Sequence, residues 1–214
     1  MRSLNNDEVI IMTKEILDAM RPEDALKHLK IGNRRFLEGK TLQRDLLSEV
    51  KATSAGQYPF AAIVGCSDSR VPLELLFDQG VGDIFAARIA GNFVNADIIG
   101  SLEFAAKMIG SKVIVIMGHD NCGAIKGVID NVVMGNLTNA LSRITPALRS
   151  VTGFSDLSSH NCAYVDAVAQ KHVEMTVEAV LSRSVLIHDL VLAGELMVIG
   201  AFYSVEKGEV TFYE

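Results

Sequence analysis

The sequence predicts an α/β fold: a mainly parallel central sheet of four strands plus an antiparallel edge strand, flanked by helices, with an N-terminal helical arm. Three observations predict it. Short apolar runs at 60–65, 84–88, 113–117 and 197–203 alternate with longer helical patterns, which calls for crossover connections between parallel strands. Lys207-Gly208 then turns the chain into a last strand, Glu209 to Tyr213, close enough in sequence to form a hairpin. Finally, two of the runs stop at a glycine and deliver polar groups. Ile63-Val64-Gly65 leads into Cys66-Ser67-Asp68-Ser69-Arg70, and Met117-Gly118 leads into His119-Asp120-Asn121-Cys122-Gly123. Ligands of open α/β sheets bind beyond the carboxyl ends of strands, so chemistry is expected at these two loops.

The helices follow in order. Residues 1–20 mix apolar and charged positions and read as a helical arm. Arg21-Pro22-Glu23-Asp24 starts a second helix, with proline in the first turn and acids favouring its N-terminus; Ala25, Leu26, Leu29 and Phe36 form its stripe through Leu37. That stripe packs either on its own sheet or across a dimer. Residues 40–59 read as a polar stretch, Val71 to Phe77 as a short helix, and Asp97 to Ile109 as a helix closed by Gly110. Helical patterns continue over 124–133, 136–150, 161–182 and 184–192.

The 214 residues suit a single domain, with 1–40 as the arm and 55–214 as the α/β core. A net charge of −6, without a basic tract, argues against a nucleic-acid partner. No run approaches the length of a membrane span, and Met1 to Asp7 lacks the features of a signal peptide. Asn136-Leu137-Thr138 matches a glycosylation sequon, which matters only in a secreted protein. Three cysteines make no even disulfide framework, and a reducing, cytoplasmic setting is expected.

Cys66, His119 and Cys122 supply two thiols and an imidazole. His119-x-x-Cys122 brings two ligands from one turn, and Cys66 closes the site from another strand. Zinc accepts this mixture in tetrahedral geometry, whereas sulfur excludes calcium and magnesium. Arg70 can hold the Asp68 carboxylate ionised; a structural pair capping the loop is the alternative. Cys162, beside His160, reads as a packing cysteine, and His28, His172 and His188 read as helix-surface residues.

Cys66-Ser67-Asp68-Ser69-Arg70 together with Gly118-His119-x-x-Cys122-Gly123 resembles the β-class carbonic anhydrases. The resemblance extends to Leu29-x-x-Gly32-Asn33-x-Arg35-Phe36, to Arg88-x-Ala90-Gly91-Asn92, and to the segment from Gly194-x-Leu196 through Tyr203 to Gly208. It implies zinc on Cys66, His119 and Cys122, with Asp68 and Arg70 as a catalytic dyad orienting a zinc-bound hydroxide for the reversible hydration of CO2 to bicarbonate and a proton. It also implies that Gln57 reaches the substrate site and that Phe85, with Ala90 and Gly91, lines the apolar pocket. Gly91 and Asn92 read as turn and dimer-contact residues rather than reactive groups. A homodimer or tetramer is implied, with Gln57 and Phe85 near a subunit boundary. One departure stands out: a subgroup of the family closes its site with the help of a bicarbonate bound by a tryptophan three residues before the first cysteine, where this chain has Ile63 and no tryptophan anywhere. An open site, with Asp68 on Arg70 rather than on zinc, is therefore expected. A CS2 or COS hydrolase of the same family, or a non-catalytic zinc-stabilised subunit, are the competing functions.

Overall fold

A computed structural model describes residues 8–213. The polar start, Met1 to Asp7, lies outside the described residues. Strands β1 (Ala61–Gly65), β2 (Ile84–Arg88), β3 (Val113–His119) and β4 (Met197–Tyr203) run parallel, and β5 (Val210–Phe212) pairs antiparallel with β4, in the order β2-β1-β3-β4-β5. Both faces of β1 and β3 are covered, which is why they read as unbroken apolar runs rather than alternating ones. Ala61, Ile63, Val113, Val115 and Met117 pack on one side with Ala25, Leu29, Phe60 and Phe77. Ala62, Val64, Ile114 and Ile116 pack on the other with Ile99, Leu102, Val173 and Val180. From β1 the chain first crosses to one side, forming β2, and then to the other, forming β3. The carboxyl ends of β1 and β3 therefore flank a topological switch point, the place where such sheets open a crevice.

The arm is shorter in helix than its pattern suggests. Helix α1 covers Lys14–Ala19, capped by the Thr13 hydroxyl, and α2 covers Pro22–Leu37. α2 lies on its own sheet, with Ala25 and Leu29 in the core beside β1 and β3. A Cβ on Gly32 would stand 1.8 Å from the Phe77 carbonyl oxygen, so only glycine allows this approach. Next to it, Asn33 donates to the carbonyls of Leu76 and Gly208 at 3.0 Å and accepts from the Val210 N–H at 3.0 Å, stitching α2 to the β5 hairpin.

Several elements differ from the sequence pattern. The polar stretch 40–59 contains α3 (Leu46–Thr53), capped by Asp45. Charge holds it: buried Glu49 accepts from Arg44 at 3.1 Å and from the Val81 N–H at 2.9 Å. Helix α4 is only Leu73–Leu76. α5 (Ala96–Glu103) passes into a π-helical turn, Phe104–Ile109, which ends at Gly110 with φ 96°. α6 is Gly123–Ile129, and residues 136–150 divide into α7 (Gly135–Ser142) and α8 (Thr145–Ser150). α9 (Cys162–Arg183) and α10 (Val185–Leu192) complete the cover. Cys162 is exposed rather than packed, because it opens α9 on the solvent side.

His188 lies on the surface as expected, but His28 and His172 do not. His28 meets the Phe60 ring edge-on at 5.0 Å, and His172 sits on the buried stripe of α9 with Ala169, Val173 and Thr176. Burial above all pushes both imidazoles down to about 4. An unfolded chain takes up those protons near pH ~6.5. Keeping the rings neutral therefore contributes stability in full above that pH, and the contribution is lost as pH falls toward the folded values. The urea midpoint should accordingly drop between roughly pH 7 and pH 5, and His28→Gln should remove roughly half of that drop. A midpoint as steeply pH-dependent in the variant as in the parent chain would exclude His28 from the effect.

Candidate metal centre

Cys66 follows the last residue of β1, while His119 ends β3 and Cys122 caps α6. Neighbouring loops fix the first of these. The Arg88 side chain donates from Nε to the Cys66 carbonyl at 3.0 Å and also to the Asp68 carbonyl, while the Ser67 N–H reaches the Ile89 carbonyl at 3.2 Å. The second loop is pinned through Asp120, whose carboxylate accepts from the Val205 N–H at 2.8 Å and the Ser204 hydroxyl at 3.0 Å. Between the two β3-end ligands, Asn121 takes a left-handed φ of 51°. Its N–H meets Asp166 at 3.4 Å, its side-chain oxygen accepts from Lys126, and its carbonyl accepts from Arg70 at 3.3 Å.

These loops converge on one small volume. The sulfurs of Cys66 and Cys122 and a ring nitrogen of His119 lie within 4.8 Å of one another, all three residues buried. The His119 Nδ1 bonds the Asp120 carbonyl oxygen at 2.8 Å. A carbonyl only accepts, so Nδ1 carries the hydrogen and Nε2 is left with its lone pair. That Nε2 is buried without a hydrogen-bond partner. An orphaned lone pair between two thiols is what a soft metal ion would satisfy, and carbonyl-fixed imidazoles are the usual way a histidine ligand is aimed. The hydrogen bond from the Cys122 thiol above all, with the Gly91 N–H adding to it, pushes Cys66 down toward the thiolate. Cys122 goes the other way, because its hydrogen is held by that anion.

Asp68 stands beside the trio, one carboxylate oxygen 4.0 Å from His119 Nε2. Arg70 grips it with Nε to Oδ1 at 2.9 Å and Nη2 to Oδ2 at 2.7 Å, and its own N–H adds a bond of 2.9 Å to Oδ1. This two-pronged donation holds the carboxyl well below the usual carboxylate range. Of the remaining residues expected at the site, Gly91 is brought in, its N–H lying 3.4 Å from Cys66 Sγ. Ala90 adjoins it, half-buried. Phe85 and Gln57 are not brought to the trio of their own chain. Phe85 pairs in register with Ala62, in the amino half of the sheet, and packs against Phe104. Gln57 is exposed ahead of β1, at the end of that strand opposite Cys66.

Two residues around the site escaped notice in the sequence. Arg88 stood inside the Arg88-x-Ala90-Gly91-Asn92 motif, but nothing local said that it clamps the Cys66 loop. His172, at three and four residues from Ala169 and Val168, shares their buried stripe; that spacing was the available sign that it faces inward.

The family model described as carbonic anhydrase matches residues 61–210. Carbonic anhydrase 2 of Mycobacterium tuberculosis is 35% identical over 193 residues, covering 87% of this chain and 90% of that protein. The carbonic anhydrase of Mycolicibacterium smegmatis is 36% identical over 197 residues, covering 88% and 92%. Among solved structures, a Coccomyxa β-carbonic anhydrase in complex with acetazolamide superposes with a TM-score of 0.68 at 27% identity, covering 76% of this chain and 75% of that one. One of two tetrameric β-carbonic anhydrases from Sordaria macrospora gives 0.67 at 26% identity, covering 76% and 84%. With a strand order, a Cys–His–Cys cluster and relatives of near full length all in agreement, the chain belongs to the β-carbonic anhydrase family.

Proposed function

We propose that this chain hydrates CO2 reversibly to bicarbonate and a proton, with zinc held by Cys66, His119 and Cys122 and with Asp68 and Arg70 as the catalytic dyad. The observation that carries the reading is the partnerless Nε2 of buried His119, facing two thiols beside an ionised carboxylate. Zinc suits this donor set better than calcium, magnesium or a redox metal, and when bound it would make a water nucleophilic near neutral pH.

The chain's own residues supply the rest. Asp68 stays an anion throughout the neutral range and can accept a hydrogen bond, so it fixes the direction of a donor bound beside His119. Arg70 keeps the carboxylate in place, and its bond to the Asn121 carbonyl ties that grip to the ligand loop. Since both Asp68 oxygens are taken by Arg70, the carboxylate has a competing partner to any metal, which supports an open site. CO2 is apolar and calls for an apolar wall, for which Ala90 and Phe85 are suited. Because Phe85 and Gln57 stand away from their own trio, we assign them to the site of a second copy. Among the described residues the outer edge of β2 pairs with no strand, and Phe104, which packs against Phe85 of β2, is exposed, as a subunit contact there requires. We read residues 1–214 as one functional unit. Thiol ligands suit a reducing compartment such as the cytoplasm, and among the described residues no helix is long and apolar enough to cross a membrane.

Metal analysis with a CO2-hydration assay tests the core of this. One zinc per chain is expected, and His119→Ala should lose both zinc and activity; a variant that keeps both removes His119 from the site. Arg70→Ala should keep its zinc but lose activity roughly tenfold to hundredfold, as loss of a supporting hydrogen bond does at metal sites. Full activity in that variant would reduce the pair to a loop cap. For the shared site, Gln57→Ala and His119→Ala chains are each expected to be impaired. Refolded together, they should recover activity, since a mixed pair holds one intact site. No recovery, in mixtures shown to contain mixed dimers, would return Gln57 to its own chain.

A further inference from the structure

We infer that His172 is a positioning residue for the metal centre: through the Gly91 backbone it aims a hydrogen bond at the Cys66 sulfur. The inference rests on the metal assignment above and goes beyond it. His172 Nε2 lies 2.8 Å from the Gly91 carbonyl oxygen, across 81 residues of sequence. The carbonyl accepts, so Nε2 carries the hydrogen. On the other side of Gly91, the N–H lies 3.4 Å from Cys66 Sγ. One glycine therefore connects a buried imidazole on α9 to a proposed metal ligand.

The geometry leaves Gly91 few alternatives. Its φ is 79°, a region that other residues rarely adopt. A Cβ there would stand 2.5 Å from Ile144 Cδ1 and 3.1 Å from the Ala124 Cβ. Asn92 follows, also with a positive φ, 42°, and closes the turn with its N–H on the Ile89 carbonyl at 3.0 Å. Such a turn needs glycine at the first position and is strained at the second, Asn92, and it is held by its hydrogen bonds. His172 supplies the one on the Gly91 carbonyl. The imidazole itself has little freedom, being 4% exposed between Ala169, Val173 and Thr176. Burial keeps it neutral, as a donor to a carbonyl can afford to be.

The chemical consequence follows from the sulfur. An N–H donated to a thiolate withdraws electron density from it, so the metal it binds becomes a stronger acid. Without His172 the Gly91 peptide loses its anchor, and the Cys66 sulfur becomes the more electron-rich donor.

The test uses the full chain with cobalt in place of zinc, where the thiolate-to-cobalt charge-transfer band reads the sulfur directly. His172→Leu keeps volume but removes the donor; His172→Gln restores a donor at similar reach. The band should move to longer wavelength in His172→Leu, and the pH profile of CO2 hydration should move to higher pH. Both should return close to the parent values in His172→Gln. Val173→Ala, a cavity on the same buried stripe, should lower stability and leave the band unmoved. Should His172→Leu not fold, His172→Asn, whose amide falls short of Gly91, is read the same way. Cys66→Ser should leave a weaker band from Cys122 alone; a band of full parent intensity in that variant overturns the ligand assignment, and this inference with it. A band that weakens in Cys66→Ser but is unmoved in the donor-free His172 variant overturns the inference alone. So does a His172→Gln band displaced as far as that of the variant without a donor.

Discussion

The parallel pairing of β1 with β3 is the constraint on which the site depends. Val64 stands opposite Ile116 in that ladder, and β3 runs on to His119 while β1 ends at Gly65. Side chains alternate along a strand, so slipping this register by one residue would turn every inward group outward. Cys66 would then face away from His119 and Cys122. The register is enforced from both sides, since Ala61 and Ile63 pack into one core and Ala62 and Val64 into the other. Apolar burial in the middle of the sheet thus sets the distance between two sulfurs at its end. Neither ligand loop has to find the other, because the strands have already placed them.

Hydrogen bonds finish what the sheet begins. The ligand loop after β3 and the loop after β2 that touches Cys66 each contain a residue in the left-handed region, Asn121 in the one and Gly91 in the other. Such backbone costs on the order of 1–3 kcal/mol where the residue is not glycine, and it persists only when its surroundings over-determine it. Asn121 is bonded at its N–H, its carbonyl and its side chain, by Asp166, Arg70 and Lys126. Gly91 is bonded at both faces of its peptide groups, by His172 and by Cys66. Those two loops are therefore held by the same logic, while Arg70 joins the ligand loop after β1 to the one after β3 by gripping Asp68 and Asn121. An arginine can do this where a lysine could not, because its planar fork presents separate donors in fixed directions.

What the sequence made legible was local. A thiol, a carboxylate and a guanidinium directly after an apolar run, and His-x-x-Cys after another, announce themselves within a few residues. The alternation of strand and helix carried the sheet, down to its antiparallel edge. What stayed hidden was held by distant partners. α3 was unreadable in a polar stretch because its stabilising acid, Glu49, is bound by Val81, 32 residues away. His172 gave no sign of its role because the carbonyl it serves lies on another element. The π-helical turn at Phe104–Ile109 keeps a helical pattern of apolar residues, and only the backbone bonds from Gly110 and Ser111, both to the Ala105 carbonyl, distinguish it. Gln57 shows the limit in the other direction: a motif can name a residue without saying which chain's site it serves.

That last point bears on the charge cluster at the far end of the sheet. Arg35 pairs with Asp78 at 2.5 Å, and Arg44 pairs with Glu49 at 3.1 Å and Asp83 at 3.7 Å, all with side chains nearly out of solvent. Taking ions out of water costs several kcal/mol each, so such a cluster is a poor way to add stability alone. Its carboxylates are, however, well satisfied: the N–H groups of Leu42, Gly80 and Val81 all donate into it. These bonds connect α2, the segment leading into α3, and the loop between α4 and β2. An apolar contact could slide; a set of directional bonds to fixed N–H groups cannot. The cluster therefore fixes where α3 ends, and Gln57 follows α3 by only a short exposed segment. In the shared site proposed above, this is the segment from which Gln57 is presented to a second copy. Buried charge at the end of the sheet opposite the metal ligands thus exchanges a desolvation cost for directional bonds that hold α2, α3 and the loop before β2 to one another.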